Sequence, residues 1–153
     1  MPGITTFLTY NQQAEEAVRL YVSIFDGKIL DTTRAGGPDA PAFSLTFELF
    51  GQRYIALNGG PSFKFADGIS LFVGCDTQGE IDGYWEKLTA NGGKEVQCGW
   101  LVDRFGVSWQ IVPNALPQYL GGKDADGRGR ALQAMLKMKK LDIAALKTAY
   151  DGR

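Results

Sequence analysis

Two thiols, one carboxylate on a strand and a scatter of amide and hydroxyl tips are what this sequence offers for chemistry, because it contains no histidine. That absence excludes Ser-His-Asp and Cys-His nucleophile pairs, a histidine general base and imidazole metal ligands. A homo-oligomer cannot repair it, since every copy lacks histidine too. Cys75 and Cys98 are far apart and outside any C-x-x-C spacing, so they are expected as two reduced, buried thiols. Cys98 has no base near it in sequence, and a buried thiol is inert. Glu48 lies on the polar side of an alternating strand. Pointing into a dry pocket it would be a candidate general acid or base; on an outer face it is an ordinary solvent charge.

The neutral tips suggest binding rather than catalysis. Strand parity puts Ser108 and Gln110 on one face, opposite Val107, Trp109 and Ile111, and it gives Tyr54, Ala56 and Asn58 a shared face. Amide and hydroxyl tips on Asn58, Ser108 and Gln110, with aromatic walls from Tyr54 and Trp100, would hold a small, partly apolar organic molecule. The competing reading is that these tips bond buried backbone or water.

The elements that must position them follow from hydrophobic period. A strand over residues 4–10 precedes a helix with Asn11 as N-cap and a stripe of Val18, Tyr21, Val22 and Phe25, ended by Gly27. "KILDTTRA" and "FSLTFELFGQRYIALN" give three more strands, the last two joined by a turn at Gly51-Gln52. In the first of that pair Phe43, Leu45, Phe47 and Leu49 alternate with Ser44, Thr46 and Glu48. After a junction at residues 59–68 the order repeats: strand "ISLFVGCD", a Thr77-x-x-Glu80 capping box, a helix bearing Ile81, Tyr84, Trp85 and Leu88, then "KEVQ", "WLVD" and "VSWQIV". Each half thus reads strand, helix, three strands, an internal repeat in the order of elements.

A Gly/Asp-rich linker, "GGKDADGRG", then leads to helices with a Leu132, Met135, Leu136 stripe and an Asp142 cap before Ile143, Leu146 and Tyr150. That apolar stripe needs a cover, either this chain's own body or a second copy.

Composition sets the class. With 44% hydrophobic and 22% charged residues the chain reads as an ordinary soluble globular protein. Residues 1–120 carry 8 basic and 13 acidic side chains, and residues 121–153 carry 8 and 4. The basic "KMKK" run is read as a solvated helix face lying against an acidic body, so neither nucleic acid nor membrane is expected as a partner. The opening residues show no basic leader and no apolar run, which reads as cytoplasmic.

Two βαβββ units resemble the glyoxalase/bleomycin-resistance, or vicinal oxygen chelate, superfamily. The stretches at 21–25, 56–65 ("ALNGGPSFKF"), 97–113 ("QCGWLVDRFGVSWQIVP") and 133–146 ("QAMLKMKKLDIAAL") are similar to its PhnB-like branch. The resemblance implies an α+β fold in which two modules, about 4–60 and 68–112, make a glyoxalase-like domain over 1–120 with a cup-shaped sheet, followed by a helical tail over 121–153. It also implies a homodimer, with the modules paired within or between chains.

Metal-using relatives place ligands on the first, fourth, fifth and eighth strands, positions that fall approximately at Thr6, Ala56, Ser70 and Gln110. None of these is a carboxylate or an imidazole, and neutral donors hold a divalent transition metal poorly. No metal and no other cofactor is therefore expected.

The branch also carries the label demethylubiquinone methyltransferase. A common methyltransferase seats its methyl donor at a glycine-rich turn after the first strand of a doubly wound sheet, whereas residues 11–14 here are Asn-Gln-Gln-Ala. The expected role is metal-independent binding of a small organic molecule. The alternatives are a lyase or isomerase using Glu48 or an unconventional metal site, and a structural or regulatory dimerisation module.

Overall fold

A computed structural model describes residues 1–153, and the chain divides into two compact units, Met1–Phe65 and Ala66–Arg153. The fold is α+β: each unit carries one four-stranded sheet, and the order strand, helix, three strands occurs in both.

In the first unit β1 (Thr6–Tyr10) is followed by α1 (Ala14–Ile24) and then β2 (Gly27–Arg34), β3 (Ala42–Leu49) and β4 (Gln52–Asn58), in sheet order β1-β4-β3-β2. The pair β1/β4 is parallel and the others are antiparallel. Alternation in β3 buries Leu45, Phe47 and Leu49 on the side that α1 covers with Ala14, Ala17, Val18, Tyr21 and Ile24. Each such Leu or Phe contributes about 1.5–3 kcal/mol by leaving water.

Two local features differ from the sequence expectation. Asn11 does not cap α1: the cap position is Gln13, without a side-chain bond, and the Ala14 N–H donates instead to Asn58 Oδ1 at 2.9 Å. The β3–β4 turn is centred on Phe50 and Gly51, both at positive φ (50° and 80°), one residue earlier than Gly51-Gln52. Two left-handed residues match the twist of a two-residue hairpin.

In the second unit β5 (Leu71–Cys75), α2 (Gln78–Thr89), β6 (Lys94–Glu95), β7 (Trp100–Val102) and β8 (Ser108–Pro113) repeat the pattern in the order β5-β8-β7-β6. The capping box is present: Thr77 Oγ1 accepts from Glu80 N, and the Glu80 side chain accepts from Thr77 N. Ile81, Trp85 and Leu88 of α2 are buried with Cys75, Leu101, Trp109 and Ile111 of the sheet. Trp85 Nε1 donates to Glu95 Oε2 at 2.7 Å.

Three helices complete this unit: α3 (Leu116–Leu120), α4 (Ala125–Leu136) and α5 (Ile143–Asp151). Helix α4 starts inside the stretch expected as linker, and its buried residues are Gly127 and Ala131, whereas Leu132 and Leu136 are exposed. The reason is close approach to α5, since a Cβ on Gly127 would stand 2.8 Å from Tyr150 O. Asp142 does cap α5, accepting from Ala145 N at 2.9 Å, and Leu141 and Leu146 are fully buried.

The basic run at 137–140 lies in the turn between α4 and α5, not on a helix face, and Lys140 pairs with Asp82 of α2 at 2.8 Å. No helix is long and apolar enough to cross a membrane.

Candidate functional site

The two sheets treat the candidate residues differently. In the first unit Tyr54, Ala56 and Asn58 are in register with Thr6, Leu8 and Tyr10 of β1, and all six face α1. Tyr54 is half-buried and stacks on Phe47 with ring centroids 5.3 Å apart; burial pushes its phenol above the ordinary value. Asn58 is occupied at both ends, its Oδ1 capping α1 and its Nδ2 donating to Ala42 O at 2.9 Å.

Tyr54 and Asn58 therefore serve the packing of this unit, and Thr6 and Ala56 stand on the same covered side. The face turned away from α1 presents Phe7, Thr46, Ile55 and Leu57, with Phe7 53% exposed. Glu48 is on this uncovered face and forms an ion pair with Lys28 at 3.3 Å.

In the second unit Trp100 and Gln110 come together at one cleft, whereas Ser108, expected with them, is buried and does not line it. Ser108 and Gln110 point away from α2, since their neighbours Trp109 and Ile111 are buried toward it. Phe72, Gln110 and Trp100 lie in one row across β5, β8 and β7. Gln110 Nε2 donates to Ser70 Oγ at 2.9 Å, so the two positions bond each other. Ser108, only 3% exposed, sits one step along the same face, opposite Val102.

What holds β8 in this phase is Asp103, a buried carboxylate in the turn after β7. Its Oδ1 accepts from Phe105 N (2.9 Å) and Val107 N (3.0 Å), and its Oδ2 accepts from Trp109 Nε1 (2.9 Å). Pinning Trp109 to one side of β8 puts Gln110 on the other.

A cleft of 380 Å³ opens over the row, with a floor of Phe72, Trp100, Gln110 and Val112 and a roof that includes Leu116 and Leu120 of α3 and Met135 of α4. Its size falls within the range of small-molecule pockets. The roof is tied down beside Cys98 and Gly99, both at positive φ, whose N–H groups donate to Met138 O and Lys139 O at 2.8 Å. Cys98 also lines the cleft, and its Sγ donates to Met135 O at 3.6 Å. Cys75 is remote from this use: it is buried on the α2 side, and burial, with Glu80 and Asp76 adding to it, pushes its thiol up to about 11.

Sequence reasoning missed Phe72 and the whole roof. The signal for Phe72 was its parity within "ISLFVGCD". For α3 it was Pro117 near the start of "LPQYL", where a helix tolerates proline.

These residues do not fit a divalent metal. Gln110 and Ser70 supply neutral oxygen and nitrogen, Thr6 and Ala56 face a helix, and no group of three or more Cys, Asp or Glu is placed to hold an ion.

Comparison with known proteins gives the relationship. A family profile described as 3-demethylubiquinone-9 3-methyltransferase matches residues 2–112. Among solved structures, a putative 3-demethylubiquinone-9 3-methyltransferase, the PhnB protein from Bacillus cereus, is 33% identical, with 73% of this chain and 99% of that one covered and a TM-score of 0.67. Protein PA1353 from Pseudomonas aeruginosa is 19% identical over 74% of this chain and 98% of its own, with a TM-score of 0.63. A glyoxalase/bleomycin resistance protein from Albidiferax ferrireducens is 13% identical over 73% and 98%, with a TM-score of 0.51. The last two show the fold alone. No curated protein matches the chain.

Proposed function

The chain belongs to the PhnB-like family described as 3-demethylubiquinone-9 3-methyltransferase, with the glyoxalase/bleomycin-resistance fold, and on that premise we propose that it binds a small organic molecule without a metal. The observation that carries this reading is the Gln110–Ser70 bond beneath the cleft of the second unit. Where metal-using relatives need charged ligands, this chain puts two neutral side chains joined by one hydrogen bond. A divalent ion there would gain no charge to offset its dehydration.

Methyl transfer, which the family's description names, finds less support in the site. Strand β1 runs through Asn11, Gln12 and Gln13 into α1 with no glycine-rich turn, and neither four-stranded sheet is doubly wound. Acid–base chemistry at Glu48 is less favoured too, because its carboxylate already pairs with Lys28. In this reading the protein is a cytoplasmic homodimer, and exposed Phe7 on the first unit and exposed Phe72 on the second each offer apolar surface of their own to a second copy or a guest.

A thermal-shift screen of small organic fragments, run with and without EDTA, tests the proposal. A bound fragment at one hundred times its Kd adds about 2.7 kcal/mol to stability. The expected result is a set of fragments that raise Tm equally in both conditions. Fragments that act only before EDTA treatment, or a panel in which none acts while Zn2+, Co2+ or Ni2+ raises Tm, would overturn it.

A further inference from the structure

The cleft on the second unit specifies its guest more closely, an inference that rests on the binding reading above. Phe72, Gln110 and Trp100 occupy adjacent strands in one row, so an amide stands between two aromatic residues, each on a strand about 4.8 Å away. A flat ring laid over this row meets aromatic surface and an amide edge together.

The polar groups around it have spent donors on the protein. Gln110 Nε2 donates to Ser70 Oγ, Asn114 Nδ2 to Asp76 Oδ1 at 2.8 Å, and Cys98 Sγ to Met135 O. Each amide keeps one N–H and a carbonyl oxygen with two lone pairs, and Trp100 brings its indole N–H, so four acceptor lone pairs stand against three remaining donors.

No Asp, Glu, Lys or Arg lines the cleft. An ionised guest would lose water there without a counter-charge. From above, Leu116, Leu120 and Met135 add only apolar surface, and the Met135 thioether suits contact with a ring.

We propose that this cleft takes a neutral, flat, ring-bearing molecule that presents an N–H or O–H donor to Gln110, and that α3 and α4 form part of the binding site. The anchor is the carbonyl oxygen of Gln110, and the terminal helices supply the wall that excludes water from it.

Three isosteric or near-isosteric probes separate these properties: indole, which has one N–H donor; 1-benzofuran, with a ring oxygen in its place; and indole-5-carboxylate, an anion. The readout is the Trp100 indole and Gln110 side-chain amide resonances of the 15N-labelled full chain. Indole is expected to shift both resonances saturably, with benzofuran about tenfold weaker because an acceptor would face the Gln110 carbonyl. The carboxylate should also bind more weakly than indole.

In Gln110→Met, followed at Trp100, indole and benzofuran should bind within about twofold of each other, since the hydrogen bond that told them apart is gone. Met135→Ala should weaken indole by about threefold or more through lost roof contacts, while the rest of the spectrum reports an intact fold.

Benzofuran or the carboxylate matching indole would overturn the proposed guest class and leave the binding reading standing. Shifts from none of the three would overturn the proposal, and the fragment screen then shows independently whether the binding reading fails with it. An unchanged indole affinity in Met135→Ala would remove α4 from the site.

Discussion

Replacing Asp103 by alanine should cost more stability than almost any other single polar change in this chain. The side chain is 3% exposed and accepts from Phe105 N, Val107 N and Trp109 Nε1 at 2.9–3.0 Å. Of the three donors, the Val107 amide and the Trp109 indole are buried. Leaving a buried donor unpaired costs about 1–3 kcal/mol, so the two together give about 2–6 kcal/mol. With a urea m-value of about 2 kcal/mol/M, the unfolding midpoint falls by about 1–3 M. Far-UV circular dichroism across a urea series measures this.

Asp103→Asn keeps Oδ1 for the two backbone amides but can set an NH2 group against Trp109 Nε1–H, so it should lose about half as much. Trp109→Phe should be less harmful in the Asp103→Ala background than in the wild type, with a coupling of about 1 kcal/mol or more. A midpoint shift below about 0.5 M for Asp103→Ala, or simple additivity with Trp109→Phe, would refute the claim that this carboxylate sets the phase of β8.

Further outcomes follow from the same geometry. Leu146→Ala, which empties a fully buried position of α5, should destabilise the protein by about 2–5 kcal/mol in urea unfolding. Iodoacetamide at mildly alkaline pH should label part-exposed Cys98 well before buried Cys75, whose thiol is pushed up to about 11, and peptide mapping reads the order. Glu15 is held below its ordinary 4.5, chiefly by its hydrogen bond from Arg34. A lowered carboxylate value stabilises the fold fully above 4.5, and that contribution is lost as pH falls through the folded value. Arg34 also donates to Ala40 O. Hydrogen exchange in the 35–41 segment should therefore speed up in acid relative to a neighbouring control segment, and Arg34→Gln should remove that pH dependence.

The repeated order of elements was legible because it rests on local period. Alternating Leu45, Phe47 and Leu49, and the Thr77–Glu80 box, need no distant partner to be recognised. What was not legible came from partners far along the chain. The cap of α1 is Asn58, 44 residues away from Ala14, so inspecting residues near the helix start pointed to Asn11 instead. The packing of α4 on α5 was not legible because hydrophobic period weights leucines, whereas this contact rests on the smallness of Gly127 and Ala131 and leaves Leu132 and Leu136 exposed.

The site divides along the same line. Parity correctly grouped Tyr54 with Asn58 and Ser108 with Gln110, but parity alone does not say which side a helix covers. In the first unit the group lies under α1; in the second it faces away from α2, where Trp100 joins Gln110 in the cleft. The roof joins residues 116–120 and Met135 to a sheet that ends at Pro113. No spacing in the sequence announces that contact.

Native mass spectrometry of the gently purified full chain tests the central claim most directly, because it reads subunit number and bound mass at once. The expected species is a dimer carrying an organic increment, on the order of one to a few hundred daltons per pocket, that survives dialysis against a chelator. A stoichiometric increment of one metal ion per chain, removed by the chelator together with any organic mass, would contradict it.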